Sequence, residues 1–131
     1  MVKKLPASHF IHALNVWDRA AFIMEQLFTE YDLLLTPTVA TTAPKINDDL
    51  QSPEIRDALE TSANLTENEL HHLIHQMFEK SLEITPYTQL ANLTGQPAIS
   101  LPTYLTEKNL PLGIQFMAAR GREDLLLQIR K

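Results

Sequence analysis

Two histidines one helical turn apart have the spacing that most directly suggests chemistry in this sequence. His71 and His75 are separated as two imidazoles on a helix are when they share a zinc ion. A zinc protease motif needs a glutamate general base where His72 stands, and no third ligand is evident nearby. Two ligands make a weak site. We therefore predict a solvent-facing cluster and no metal site, and we interpret His9 and His12 in the same way.

No serine of the chain has the surroundings of a catalytic nucleophile. A nucleophilic hydroxyl needs a neighbouring base and usually a tight turn bounded by glycine. None of the serines is flanked by glycine, and no Ser-x-x-Lys spacing occurs. The carboxylate pairs Asp48-Asp49 and Glu123-Asp124 lie in a predicted loop and a predicted first helical turn, where solvation and the helix dipole account for them. We expect no catalytic residue in this sequence.

The composition limits the class of protein further. The chain has 131 residues, a net charge of -5, no cysteine and 3 glycines. It is long enough for one domain, lacks thiolate chemistry, and has too few glycines for a phosphate-binding loop. Its acidic balance argues against nucleic acid as a partner, and its apolar runs are too short to span a membrane. Because residues 1–6 do not lead into the apolar core of a secretory signal, we expect a cytoplasmic protein. We expect no cofactor.

The first half of the sequence predicts one long helix and one strand. Apolar residues spaced by three and four predict a helix from Ser8 to Glu30, with the Ser8 hydroxyl as its N-cap. An apolar run over residues 31–35 predicts a buried strand that ends at Thr36-Pro37, because proline cannot donate to a sheet ladder. Residues 38–52 have no periodicity of either kind and are predicted to form a loop.

The second half predicts helices with clear end signals and a hairpin. A helix is predicted over residues 53–60, and a second begins at the capping box formed by Thr66 and Glu69. A short helix over residues 87–93 should end at Gly95 in a left-handed conformation. Two strands, residues 98–102 and 112–117, form the simplest hairpin, and a final helix is predicted over residues 123–131. The predicted class is α/β, with helices packed on a small mixed sheet of about three short strands.

Two blocks of the sequence, the second in two parts, resemble one family, the amidase signature enzymes. The segment YDLLLTPT, residues 31–38, resembles a strand and loop of that family. The segment TPYTQLANLTGQPAISLP, residues 85–102, and the later LPLGIQFMAARGREDLLLQI are similar to its C-terminal end. In those enzymes, the central sheet is closed by an asparagine helix, a Gly-x-Pro-Ala turn and a Leu-Pro-x-Gly-x-Gln strand. Gln96 and the Phe116-Met117-Ala118 strand end most resemble aminohexanoate cyclic-dimer hydrolases.

This resemblance implies a fold and an activity for the protein to which the sequence belongs. Residues 1–131 would form a single partial domain, the C-terminal part of an amidase domain. The family hydrolyses linear or cyclic carboxamides with a serine nucleophile, relayed through a second serine with a cis peptide bond to a lysine base, while backbone N–H groups hold the oxyanion. Those residues belong to a signature upstream of the region represented here, so we expect this chain alone to be inactive.

The resemblance also implies four substrate-binding residues. Thr88 and Ala91 correspond to pocket-lining positions of the family's short helix, and Asn92 matches its asparagine. Thr36, at the end of the first strand, would border the cleft. The alternative from the residues themselves is that the face of Thr88 and Ala91 packs against the sheet.

A different class of function stays open beside the enzyme. The chain could be a stand-alone binding or assembly module, without catalysis, that retains amidase-like architecture. Unpaired N–H and C=O groups along a sheet edge promote association. We therefore expect the isolated chain to form homo-oligomers through exposed sheet edges, and the intact enzyme to bind a small amide substrate.

Overall fold

Five α-helices and a three-stranded sheet make up the described part of the chain, which is residues 6–49 and 51–129 of a computed structural model. The predicted helical residues 130–131 and the N-terminal residues 1–5 lie outside the described residues. In chain order the elements are α1 (Ala7–Leu27), β1 (Leu34–Pro37), α2 (Pro53–Glu60), a 3-10 turn (Ser62–Asn64), α3 (Glu67–Ile84), α4 (Thr88–Thr94), β2 (Ala98–Leu105), β3 (Pro111–Met117) and α5 (Glu123–Ile129).

The sheet has the strand order β1-β3-β2, and both pairings are antiparallel. The predicted hairpin of β2 and β3 is confirmed, with β2 running three residues further than expected. The expected mixed character is not seen in this sheet. The short connection between β2 and β3 allows only an antiparallel pair. β1 runs in the same direction as β2, but β3 lies between them.

β1 begins and ends later than the sequence predicts. Pro37 is the last residue of the strand, in register with Ile114 of β3, so the strand includes the Thr36-Pro37 pair that was expected to stop it. β1 is an edge strand of the sheet. A proline has no N–H to donate, but at the edge it removes no hydrogen bond from the centre of the sheet. The prediction of a buried strand is also wrong, because Leu35 is exposed.

The helix ends follow the predicted caps, with one exception. At α3 the Glu69 N–H donates to Thr66 Oγ1 at 3.4 Å, and the Thr66 N–H donates to Glu69 Oε2 at 2.7 Å, which confirms the capping box. Gly95 ends α4 with φ 76°, as predicted. The Ser8 cap is wrong, because Pro6 precedes the helix in an extended conformation and its carbonyl oxygen accepts the His9 N–H at 3.0 Å.

The buried apolar residues lie on the second half of α1, on α3, α4 and α5, and at the end of β3. The buried apolar residues are Ala21, Met24, Leu70, Leu73, Ala91, Met117, Ala118 and Leu126. In the first half of α1, Phe10 and Trp17 are exposed although they are apolar. Phe22, further along the helix, is exposed too. Over the described ranges, no helix is both long and apolar enough to cross a membrane.

Candidate functional site

The three predicted substrate-binding residues of the second half all lie on α4, which packs against α1. Ala91 is buried, Thr88 is half-buried and Asn92 is exposed. The Thr88 hydroxyl donates to the Thr85 carbonyl oxygen at 3.4 Å. Ala91 is therefore already covered within this chain, and Asn92 is the one of the three whose side chain is open to a ligand.

A polar network holds the C-terminal end of α4 in place. Gln96 Nε2 donates to Glu25 Oε1 of α1 at 3.0 Å, and Arg120 Nε lies 3.4 Å from the same oxygen. An Arg120 guanidinium N–H also donates to the Thr94 carbonyl oxygen. These contacts join α1, α4 and the segment after β3, so they set the orientation of α4 and of Asn92.

Sequence reasoning misses most of this network. Gln96 stands out in the sequence only through the family resemblance, as the residue before Pro97. Glu25 and Arg120 are distant from Gln96 in the chain, and no local pattern links the three. Only tertiary structure brings such side chains together.

Thr36 lies in a polar row that crosses the sheet. Thr36 of β1 and Ser100 of β2 are both in register with Gln115 of the central strand β3. Paired residues of antiparallel strands point to the same face. Thr36 Oγ1 and Gln115 Nε2 are buried and have no hydrogen-bond partner among the described residues. Because buried polar groups are nearly always paired, this row is a candidate for binding a polar group.

Gly113 creates the space for a hydroxyl pair beside this row. Thr38 Oγ1 lies 2.6 Å from Ser100 Oγ. A Cβ atom on Gly113 would lie 2.8 Å from Ser100 Oγ, closer than such atoms approach, and 3.0 Å from Thr38 Oγ1, a tight contact. The sequence gives Ser100 no surroundings of a nucleophile, and it does not predict this pair.

An open groove of about 380 Å³ runs over the middle of the sheet. It is lined by residues 35–37, 103–104 and 112–114, most of them apolar. Thr36 belongs to its wall, whereas Thr88, Ala91 and Asn92 are not among its lining residues. The four predicted site residues are therefore divided between this groove and α4.

The histidines face solvent, as the sequence predicts, but His71 lies beside Glu67 and His9 and not beside His75. His71 Nε2 lies 3.9 Å from Glu67 Oε1 on the same helix, and His9 Nδ1 of α1 lies 3.5 Å from that oxygen. His75 is exposed on α3 and is not part of this group.

The chain belongs to the amidase family, since the family model described as Amidase matches residues 8–127. Among curated relatives, it is 42% identical over 106 residues to the lipoamidase of Enterococcus faecalis, covering 81% of this chain and 15% of that protein. It is 39% identical over 99 residues to the 6-aminohexanoate-cyclic-dimer hydrolase of Pseudomonas sp. (strain NK87), covering 76% of this chain and 17% of the relative.

The solved structures agree with this assignment. A structure of 6-aminohexanoate cyclic dimer hydrolase complexed with substrate matches with TM-score 0.57 and 36% identity, over 83% of this chain and 20% of that one. One subunit of glutamyl-tRNA(Gln) amidotransferase from Thermotoga maritima matches with TM-score 0.56 and 28% identity, over 87% of this chain and 19% of that one. These matches confirm the predicted family and fold class. The chain spans about a fifth or less of the proteins just named.

Proposed function

We propose that this chain is the C-terminal part of an amide hydrolase that acts on linear or cyclic carboxamides. The observation that carries the proposal is the amidase family match over residues 8–127. The relatives named as lipoamidase and 6-aminohexanoate-cyclic-dimer hydrolase suggest amides of that kind as substrates. Catalysis would come from a Ser-cis-Ser-Lys triad outside these 131 residues, and the isolated chain would be inactive.

The exposed surface supports the view that residues 1–131 form part of a larger domain. The chain has an accessible surface of 9843 Å². A compact monomer of its mass, 14.9 kDa, would expose about 7,000 Å². Exposed large apolar side chains on α1, among them Phe10 and Phe22, contribute to this excess. Apolar faces of this kind normally pack against further protein.

In the intact enzyme, this part would supply strands of the sheet and one wall of the substrate pocket. Thr88, Ala91 and Asn92 would line the pocket from α4, with Asn92 offering an exposed amide. Thr36 would border the cleft, and its buried hydroxyl, which has no hydrogen-bond partner in the described part of the chain, supports a contact with a polar group of the substrate. No metal or organic cofactor is needed for this chemistry.

The experiment that tests the proposal starts from the size of the native polypeptide. An antibody raised against this chain should detect a band several times heavier in the soluble cytoplasmic fraction of the source cells. That longer protein, purified, should hydrolyse 6-aminohexanoate cyclic dimer or a lipoyl amide, whereas the 131-residue chain should release no product above the uncatalysed rate. Hydrolysis by the isolated chain, or a longer protein inactive on every amide tested, would contradict the proposal.

A stand-alone binding or assembly module is the second candidate. The exposed apolar side chains of α1 and the two sheet edges favour it, because both are surfaces suited to association. The same immunoblot separates the two functions. A band at the mass of the chain itself would support the module and direct the next experiment to the capture of partners.

A further inference from the structure

The structure brings together two histidines and a glutamate from helices that are distant in sequence. His9 lies in the first turn of α1, and Glu67 and His71 lie one turn apart at the start of α3. One ligand atom of each side chain lies within 4.8 Å of the others. Glu67 Oε1 is central, at 3.5 Å from His9 Nδ1 and 3.9 Å from His71 Nε2.

We propose that His9, Glu67 and His71 form a zinc-binding site that links the start of α1 to the start of α3. Nitrogen and oxygen ligands bind zinc at roughly 2.0–2.2 Å, so two ligand atoms on one tetrahedral ion lie about 3.3 Å apart. The two distances to Glu67 Oε1 are close to that value already. Rotation of exposed side chains is sufficient to close the remainder.

The types of ligand select the ion. Two imidazoles and one carboxylate suit zinc, whereas magnesium and calcium prefer sites made of oxygen alone. The three side chains are 54%, 42% and 57% exposed, so the ion enters from solvent and water completes its coordination. The sequence does not reveal this site, because His9 is far from the other two ligands in the chain and the histidine spacing points instead to His75.

A bound ion would fasten the exposed first turn of α1 to the start of α3. His9 and the neighbouring Phe10 are exposed, and the buried residues of α1 are in its second half. Binding to the folded state alone stabilises that state by mass action. The site would therefore order the first turns of α1, separately from any amide hydrolysis.

Zinc titration of the metal-free 131-residue chain tests the proposal, with matched histidine controls on each helix. His9→Gln and His71→Gln remove ligands, whereas His12→Gln and His75→Gln remove exposed histidines of the same two helices. Glu67→Gln removes the carboxylate. Circular dichroism first establishes that each exposed substitution leaves the helix content unchanged.

We expect one zinc ion per chain by calorimetry, with the dissociation constant raised about tenfold or more in His9→Gln, His71→Gln and Glu67→Gln. The two controls should stay within about twofold of the unchanged chain, and magnesium should not compete. A zinc-dependent rise in melting temperature should disappear in His9→Gln. The proposal is overturned if binding does not saturate up to millimolar zinc, or if His75→Gln weakens it as much as His71→Gln while His9→Gln has no effect.

Discussion

Gly113 shows how a single missing side chain shapes the polar part of the sheet. Its Cα hydrogens leave the space in which Thr38 and Ser100 join their hydroxyls, and an added Cβ would also lie 3.1 Å from the Leu101 carbonyl oxygen. Backbone cannot give way as the end of a long side chain can. Gly113 is therefore required by close approach and not by its own backbone conformation.

We predict that Gly113→Ala lowers the free energy of unfolding by about 1–3 kcal/mol, because the sheet must shift to admit the methyl group. Urea unfolding of the 131-residue chain measures it. Ser100→Ala in the same chain removes the contact at 2.8 Å and should restore part of the loss. The control is Gly121→Ala, whose added Cβ would meet no atom within 4 Å and whose cost comes from a φ of 77°. Ser100→Ala should not restore that loss.

Asn92 is a sharper test of the substrate pocket than its neighbour Ala91. Ala91 is buried against the rest of this chain, so a large residue there would disturb folding as well as any pocket. We predict that Asn92→Ala in the longer enzyme lowers kcat/KM about tenfold to a hundredfold and leaves the melting temperature unchanged, because an exposed amide contributes little to stability. Asn68→Ala, an exposed asparagine on α3, should have no effect on the rate. Equal values of kcat/KM for the two variants would show that Asn92 does not line the pocket.

Residues joined by a continuous motif were predictable, and residues joined only in space were not. Thr88, Ala91 and Asn92 fall on one helix because their spacing is local. The contact of Glu25 with Gln96 and Arg120 depends on how α1 packs on α4, which a sequence pattern does not encode. The polar row that contains Thr36 could not be predicted either, because it depends on the register of the three strands.

At the scale of elements, α1 and α3 differ in how their first turns are capped. The capping box at Thr66 satisfies backbone N–H groups at the start of α3, whereas no side chain caps α1. We predict that Thr66→Ala lowers the free energy of unfolding by about 1 kcal/mol. Ser8→Ala should be neutral within about 0.5 kcal/mol, since Ser8 is exposed and alanine favours a helix. Denaturant unfolding of both variants compares them, and a larger loss at Ser8 would contradict the observed start of α1.

Helix bounds were predicted well where a local signal marks them. Pro53 marks the start of α2, and Gly95 marks the end of α4, because each acts through its own backbone. The bounds of β1 were not predictable in this way. Whether Pro37 can remain in a strand depends on its place at the edge of the sheet, which only the strand order decides.

At the scale of the whole molecule, both outer strands of the sheet have one unpaired edge within the described structure. β3 is paired on both sides, and β1 and β2 are each paired only with β3. Pro37 and Pro102 lie on these outer strands and weaken further pairing without abolishing it.

We predict that the isolated chain associates through these edges, so that light scattering gives a mass above that of the monomer and rising with concentration. Leu105→Lys places a charge on the exposed end of β2 and should lower the measured mass, because edge lysines oppose strand pairing. Phe22→Lys, on the exposed face of α1, should leave it unchanged. A compact monomer at every concentration would contradict association, and a loss caused by Phe22→Lys alone would move the contact to α1.

The family was recognisable from the sequence because its motifs are unbroken strings, and the matched residues 8–127 include residues 31–38 and 85–102 whole and most of the third string, residues 110–129. The groove over the sheet could not be predicted from the sequence. Its wall combines residues from three strands, and the sequence is consistent with several strand orders.

The central position of β3 also sets the order in which the sheet can form. β2 and β3 are neighbours along the chain and close a hairpin with little loss of loop entropy, whereas β1 must wait for a strand that is synthesised long after it. While the ribosome is still making α2, α3 and α4, the N–H and C=O groups of β1 have no strand of this sheet to bind. We expect the hairpin of β2 and β3 to assemble first and β1 to join it last, so that during translation the nascent β1 segment waits for β3.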